Sequence, residues 1–264
     1  MARSALLNIM VTAALKAGRS LVRDFGEVEN LQVSVKGPAD FVTNADKAAE
    51  KIVHAELSKA RPTYGFLMEE GGEIKGSDGQ HRWIIDPLDG TTNFLHGIPL
   101  FAVAIALQRG DEIVASVIYN PVIDELYTAE KGGGAWLDDK KRLRVGGRKH
   151  LADAVVVTGI NSQGRASDLL QLRQMVQVVP AVSGIRRTGS ASTDLAWLAA
   201  GRFDGYWEAG LKPWDVAPGA LLLREAGGTM SDFSGGAGSI WNGEVVAGNE
   251  TLQGQLLKII KAVK

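Results

Sequence analysis

Residues 83 to 94 read WIIDPLDGTTNF and place two carboxylates, Asp86 and Asp89, three positions apart just past an apolar, strand-like run. Acids in that position lose hydration and repel one another, so something must compensate them. Other acids follow apolar runs in the same way: Glu69 and Glu70 after YGFLM, and Asp215 after LKPW. Asp46 lies near the start of a helical pattern. One such acid alone reads as a helix cap or a turn residue. That reading weakens when four or more gather behind apolar runs. An oxygen-only donor set without His or Cys suits Mg²⁺, Mn²⁺ or Ca²⁺. The Asp-x-x-Asp spacing lets two ions share ligands, while Pro87 fixes its own φ and Gly90 tolerates a sharp reversal. Thr91 and Thr92 then offer hydroxyls and backbone N–H groups suited to a phosphate. Paired divalent ions about 3.5–4 Å apart recur in phosphoryl hydrolysis.

Rival phosphate chemistries lack their residues. There is no G-x-x-x-x-G-K-[ST] run, so a P-loop is not expected. The haloacid-dehalogenase type needs its two acids two positions apart, not three. The chain has no cysteine, which removes cysteine-nucleophile chemistry, disulfides and zinc–thiolate sites and fits a reducing, cytoplasmic compartment. Its four histidines, His54, His81, His96 and His150, are scattered and read as surface or structural residues.

The elements that must position these acids are those of an α/β chain. With 264 residues, 45% of them hydrophobic and 22% charged, there is ample material for a buried core. A net charge of −1 carries no footprint for nucleic acid or an anionic membrane. No stretch reads as the roughly 18 apolar residues of a membrane span; the opening run instead makes one helical face from Leu6, Leu7, Met10, Val11 and Ala14. A second helix is predicted to open near Asn44 to Asp46, and YGFLM and RWII read as strands with a mobile-looking loop between them. A long β-rich stretch from Phe101 to Leu137 predicts a largely antiparallel sheet. Past Leu151, strand and helix alternate through AVVVTG, LLQLRQMVQVV, GIRRTG, STDLAWLAAG, FDGYWEAG, DVAPGALLLREAGG and a last helix after Asn249. The change of pattern divides the chain into an N-terminal α+β part, 1–148, holding most of the acids, and a C-terminal α/β part, 149–264. Trp197 and Leu198 read as core. Lys36 reads as a solvated charge or a helper at the metal loop, and Arg186 and Arg187 as surface charges or as substrate or interface groups.

WIIDPLDGTTNF resembles the first signature of the inositol monophosphatase family, and LKPWDVAPGALLLREAGG resembles the second; its bacterial SuhB-like members are the most similar. FLMEE, GIRRTGSASTDLAWLAAGRFDGYWEAG and KGPADFVTNAD follow the family pattern in order, so the similarity covers nearly the whole chain. The resemblance implies a layered αβαβα sandwich, a homodimer, and Mg²⁺-dependent hydrolysis of myo-inositol monophosphate, with two or three ions per subunit, Mn²⁺ as a substitute and sensitivity to lithium. It implies that Glu69, Asp86, Asp89, Asp215 and the Leu88 carbonyl bind metal. Thr91 with Asp46 would orient and deprotonate the attacking water, with Glu69 as the third catalytic residue. Glu70 would stand behind the metals or share a weakly held outer one. Asp89, Gly90, Thr91, Gly189, Ser190, Ala191, Glu208 and Asp215 would line the substrate site, Glu208 accepting from ring hydroxyls. Met68 departs from the pattern, where a glycine is common. The same scaffold serves fructose 1,6-bisphosphate, histidinol phosphate and adenosine 3′,5′-bisphosphate phosphatases, and SuhB-like members also act through the transcription machinery, so both readings stay open.

Overall fold

The computed structural model describes residues 3–25, 33–37, 40–160 and 166–263. The chain opens with α1 (Ala5–Phe25), the hairpin β1 (Val33–Gly37) and β2 (Asp40–Thr43), and α2 (Asn44–Ala60). There follow β3 (Gly65–Met68), β4 (Gly72–Ile74), β5 (His81–Asp89), the short α3 (Thr91–Leu95), β6 (Ala102–Arg109), β7 (Glu112–Asn120), β8 (Glu125–Glu130), β9 (Gly134–Leu137) and β10 (Lys141–Arg142). Among the described residues, β10-β9-β8-β7-β6-β5-β3-β4 form one sheet in that order, antiparallel except where β3 meets β5. The side chain of Lys36, on β1, lies outside the described residues.

The second half contributes β11 (Val155–Thr158), α4 (Ala166–Val178), β12 (Gly184–Arg186), α5 (Ala191–Ala199), β13 (Gly205–Ala209), α6 (Pro213–Glu225), β14 (Thr229–Ser231), α7 (Ser239–Asn242), β15 (Glu244–Gly248) and α8 (Glu250–Ala262). Its strands order as β12-β11-β13-β15-β14. β11 lies parallel to β12 and β13, and β15 runs antiparallel to β13 and β14. One expectation needs correction: the segment predicted as a mobile loop holds β4, which pairs with β3 through Phe66↔Ile74. The C-terminal half does alternate strand and helix, with β14, α7 and β15 as elements the sequence pattern did not mark; β14 and β15 pair antiparallel although α7 separates them in the chain.

Side-chain alternation separates three cores. On β6, Val103, Ile105 and Leu107 face α1 and α2, while Ala102, Ala104 and Ala106 face α5 and α6. On the second sheet Val157, Tyr206 and Val245 face the same two helices, and Val156, Trp207 and Val246 face α8. The layers therefore run α1/α2, sheet, α5/α6, sheet, α4/α8: an αβαβα sandwich. The alanines matter because they leave room for α6 to lie close to the first sheet. Ser116 on β7 reaches it and donates to the Pro218 carbonyl at 2.6 Å. By length and composition α1 could cross a membrane. Here it is a core helix, with Leu7, Met10, Val11, Ala14, Ala17 and Leu21 buried against α2 and the sheet.

The central layer is packed tightly enough to test. A Cβ on Gly219 of α6 would lie 2.4 Å from the Leu195 Cβ of α5. On exposed Gly254 of α8 it would meet nothing within 4 Å. Alanine gains roughly 1 kcal/mol over glycine inside a helix, whereas overpacking a core costs about 1–3 kcal/mol. Urea denaturation should accordingly show Gly254→Ala stabilised and Gly219→Ala destabilised, and equal gains in both would contradict this packing.

Candidate active site

A regular strand would send Asp86 and Asp89 to opposite faces, because their separation is odd. β5 avoids this with a bulge. Asp86 pairs with Ala104 and Asp89 with Ala102, so three residues of β5 advance against two of β6. Ala102 and Ala104 share the inner face, and the extra residue brings both carboxylates to that face. Pro87 has no N–H to give the ladder. The Leu88 N–H turns back to Asp86 Oδ1 at 3.0 Å, and its side chain drops into the α1/α2 core.

Helix N-termini supply the remaining groups. Asp215 is the third residue of α6 and accepts from the Lys212 N–H at 2.7 Å. Oxygens of Asp86, Asp89 and Asp215 lie within 4.8 Å of one another. Burial, then the charges of Glu69, Asp89 and Asp215, pushes the Asp86 carboxyl well above the usual range. Burial and then Asp89 push Asp215 up to about 8. Glu69 joins from the end of β3. Its N–H donates to the Ile85 carbonyl at 3.2 Å, and its side chain is in hydrogen-bond contact with Asp86. Glu70 stands beside Asp46: its N–H donates to buried Glu50 on α2 at 2.8 Å, and its charge adds to burial in raising the Asp46 pKa.

Asp89 also caps α5. Its Oδ2 accepts from Ser190 Oγ and the Ser192 N–H, both at 2.7 Å, and from Ser192 Oγ. Ser190, the N-cap, and Ala191 thus sit directly behind Asp89. Asp46 is held inside a capping box, its Oδ2 accepting from the Thr43 N–H at 2.8 Å and from the Thr43 hydroxyl. Its Oδ1 is 3.2 Å from the Thr91 hydroxyl, which also lies 3.1 Å from the Leu88 carbonyl. Burial raises the Asp46 pKa. Gly90, at φ 99°, makes the left-handed turn into α3. Gly189, at φ 90°, makes another, packed against Asn93. Asn93 clips the two turns together by donating to the carbonyls of Leu100 and Thr188, both at 2.8 Å.

Glu208 stands on a separate wall. It is buried on β13 and accepts from the Tyr206 hydroxyl at 2.6 Å. Burial pushes it up to about 7, and Arg187 pulls the other way. Arg187 donates to the Ile160 carbonyl at 3.3 Å, and its charge also acts on buried Asp194. Arg187 therefore faces this wall, while Arg186 points to solvent. Leu198 is core, and Trp197 packs beside it with its indole N–H toward Glu125. Sequence reasoning missed Ser192, Asn93, Asp194 and Tyr206. Asp194 had one visible signal, an acid set among the apolar residues of STDLAWLAAG, and the others had none.

The donor set fits a hard divalent cation. Its atoms are carboxylate oxygens, gathered and mutually repelling, and no ion pair among the described residues involves Asp86, Asp89 or Asp215. Comparison with known proteins agrees. The sequence model of the inositol monophosphatase family matches residues 2–264. An inositol-1-monophosphatase of Mesorhizobium japonicum is 64% identical over 261 residues, 99% of this chain and 98% of that one. The Nus factor SuhB of Escherichia coli K12 is 43% identical over 244 residues, 92% and 91% of the two chains. The crystal structure of the extragenic suppressor protein suhB from Bartonella henselae superposes with a TM-score of 0.95 at 56% identity, covering 98% and 99%.

The raised pKa of Glu208 has a measurable sign. Below about pH 4.5 the side chain is neutral folded or unfolded, so it contributes nothing to pH dependence. Between there and about 7 the unfolded chain ionises while the folded one holds its proton, and stability falls as pH rises. Glu208→Gln cannot ionise. In metal-free protein the variant should gain on the wild type by about 2–3 kcal/mol between about pH 5 and pH 8. Denaturant titrations at the two pH values measure this, and a gap that does not change with pH would rule it out.

Proposed function

The chain belongs to the inositol monophosphatase family, and from that membership we infer that it hydrolyses myo-inositol monophosphate to inositol and inorganic phosphate, with Mg²⁺ as cofactor. The observation that carries this reading is the trio Asp86, Asp89 and Asp215 beside the Thr91–Asp46 pair. Glu69, Asp86, Asp89, Asp215 and the Leu88 carbonyl hold two or three Mg²⁺ ions in this reading, and Mn²⁺ can replace them. Bound divalent ions supply an activated water and neutralise the charge that develops on phosphate and leaving group. The chain's own residues do the rest. Thr91 orients the water through its hydroxyl, and Asp46 Oδ1 receives the proton by way of Thr91. Asp46 is suited to this, because Thr43 fixes its other oxygen and burial favours its protonated form. Gly90 and Thr91 meet the phosphate. Gly189, Ser190, Ala191 and Glu208 meet the inositol ring, with Asp89 and Asp215 bordering both.

Residues 1–148 thus carry the acids of β3 and β5, and residues 149–264 carry the ring pocket and the last ligand. A cysteine-free chain fits the reducing cytoplasm. Lithium should inhibit, as in the family. Fructose 1,6-bisphosphate, histidinol phosphate and adenosine 3′,5′-bisphosphate are the competing substrates. Relatives named Nus factor SuhB favour a second role, contact with the transcription machinery. The protein acts as a homodimer in this reading. Its support is an apolar stripe on α4, Leu169, Leu172 and Val176, continued by Val179, 46–68% exposed. Their spacing of three and four is that of a helix–helix seam.

A phosphate-release panel over the four substrates should show inositol monophosphate turned over fastest. EDTA should abolish the activity, Mg²⁺ restore it and Ca²⁺ restore little. Asp86→Asn should lower kcat at least about 100-fold, since losing even residues that merely support a metal ligand costs about 10–100-fold. Full activity of stripped protein would refute the metal requirement. Sedimentation should find wild type dimeric and Val176→Lys shifted toward monomer; a variant that stays as dimeric as wild type would move the interface off α4.

A further inference from the structure

We propose that Gln171, on the buried face of α4, is a positioning residue for the Glu208 carboxylate and so sets the preference for a polyhydroxylated leaving group. The proposal rests on the reading of Glu208 as the group that meets the inositol ring.

Glu208 is held from two sides. Tyr206, two residues back on the same face of β13, donates its hydroxyl to Oε2 at 2.6 Å. The Gly159 N–H donates from the neighbouring strand end. Gly159 is pressed against the acid so closely that a Cβ there would lie 1.9 Å from Oε1 and 2.3 Å from Oε2. Any shift of Gly159 is therefore a shift of the carboxylate. Yet Gly159 lies beyond the last ladder pair, Thr158↔Trp207, and as a glycine it has the widest backbone freedom. A side chain from another element restrains it. Gln171 Nε2 donates to the Gly159 carbonyl at 2.8 Å, and the Thr158 hydroxyl, which donates to Trp207 O at 2.6 Å, is only a longer 3.3 Å from that carbonyl.

Gln171 is a poor choice for stability alone. It is 1% exposed, and its Oε1 has no hydrogen-bond partner among the described residues. A buried unpaired amide oxygen is unfavourable, and an apolar side chain of the same size would relieve it. The fold retains an amide whose one hydrogen bond among the described residues ends on the peptide that holds Glu208. A positioning role accounts for that retention; packing does not.

The two explanations differ in what Gln171→Met should do. Methionine keeps the volume and removes the donor. Under the proposal, kcat/KM for inositol 1-phosphate falls about five- to tenfold, mostly through KM. Turnover of p-nitrophenyl phosphate, which has no ring hydroxyls, stays within about twofold, and the melting temperature is equal or higher. Gly159→Ala should produce the same selective loss by displacing Glu208 directly, and it serves if the methionine variant folds poorly. In a Glu208→Gln background Gln171→Met should add no further loss for inositol phosphate. Equal losses on both substrates, no loss on either, or a full further loss in the Glu208→Gln background would overturn the proposal. The underlying reading has its own readout: if Glu208→Gln alone leaves the preference between the two substrates unchanged, Glu208 does not meet the ring. A changed preference there with no effect of Gln171→Met rejects only the role of Gln171.

Discussion

Like-charge repulsion among Asp86, Asp89 and Asp215 is the constraint on which the rest of this molecule depends. Each acid is buried or half-buried; beyond that burial, the charges of Asp89 and Asp215 raise the pKa of Asp86, and Asp89 raises that of Asp215. The fold offsets part of this with backbone N–H groups. Leu88 donates to Asp86, Ser192 to Asp89 and Lys212 to Asp215, while Thr43 does the same for Asp46. Three of these acids lie at the first turns of α2, α5 and α6, where the helix dipole favours negative charge. Such contributions are about 0.3–1 kcal/mol each, too small to cancel several close carboxylates in a partly dry site. Cations must supply the remainder.

Bringing the acids together is a packing problem before it is an electrostatic one. Asp215 reaches Asp86 only if α6 lies close to β5 and β6. Alanines at 102, 104 and 106 make that approach possible, and Gly219 lets α5 lie against α6. The bulge at Pro87 and Leu88 then puts the two β5 acids on the face that α6 covers. Valine or isoleucine at the alanine positions would read as better strand sequence, yet would push the helix layer outward. Local preference yields here to the geometry of the site.

What could be read from sequence follows the range of the interactions. Asp86 and Asp89 are legible because they are three apart behind an apolar run, and α1, α2, β5 and β6 because their patterns are long. The face shared by Asp86 and Asp89 was not legible, since it depends on the register against β6. β15 escaped notice as five residues with no adjacent partner in the chain, though it sits between β13 and β14. β4 was too short and exposed to stand out. Ser192 contacts an acid 103 positions away, and Gln171 bonds to a carbonyl 12 positions away on another element. Nothing in the composition of either segment announces such a bond. Arg187 could be placed against Glu208 only once β12 and β13 were seen as neighbours of β11.

The distribution of the acids over the fold has a mechanical consequence. Glu69, Asp86 and Asp89 belong to the first sheet, and Asp215 to a helix wedged between the two sheets. Binding energy from a cation held by both sets is gained only when the layers are in register, so that energy is also folding energy. A cation bound there would draw α6 onto β5 and offset the repulsion that would part them. Glu208 borders this arrangement. Beyond burial, the charge of Asp89 raises its pKa and its own charge raises that of Asp215, while Tyr206 and Gly159 hold it through neutral donors. The carboxylate trio and Glu208 thus occupy adjoining walls that are linked by charge but held by different donors: helix N-termini and the β5 bulge for the trio, Tyr206 and Gly159 for Glu208.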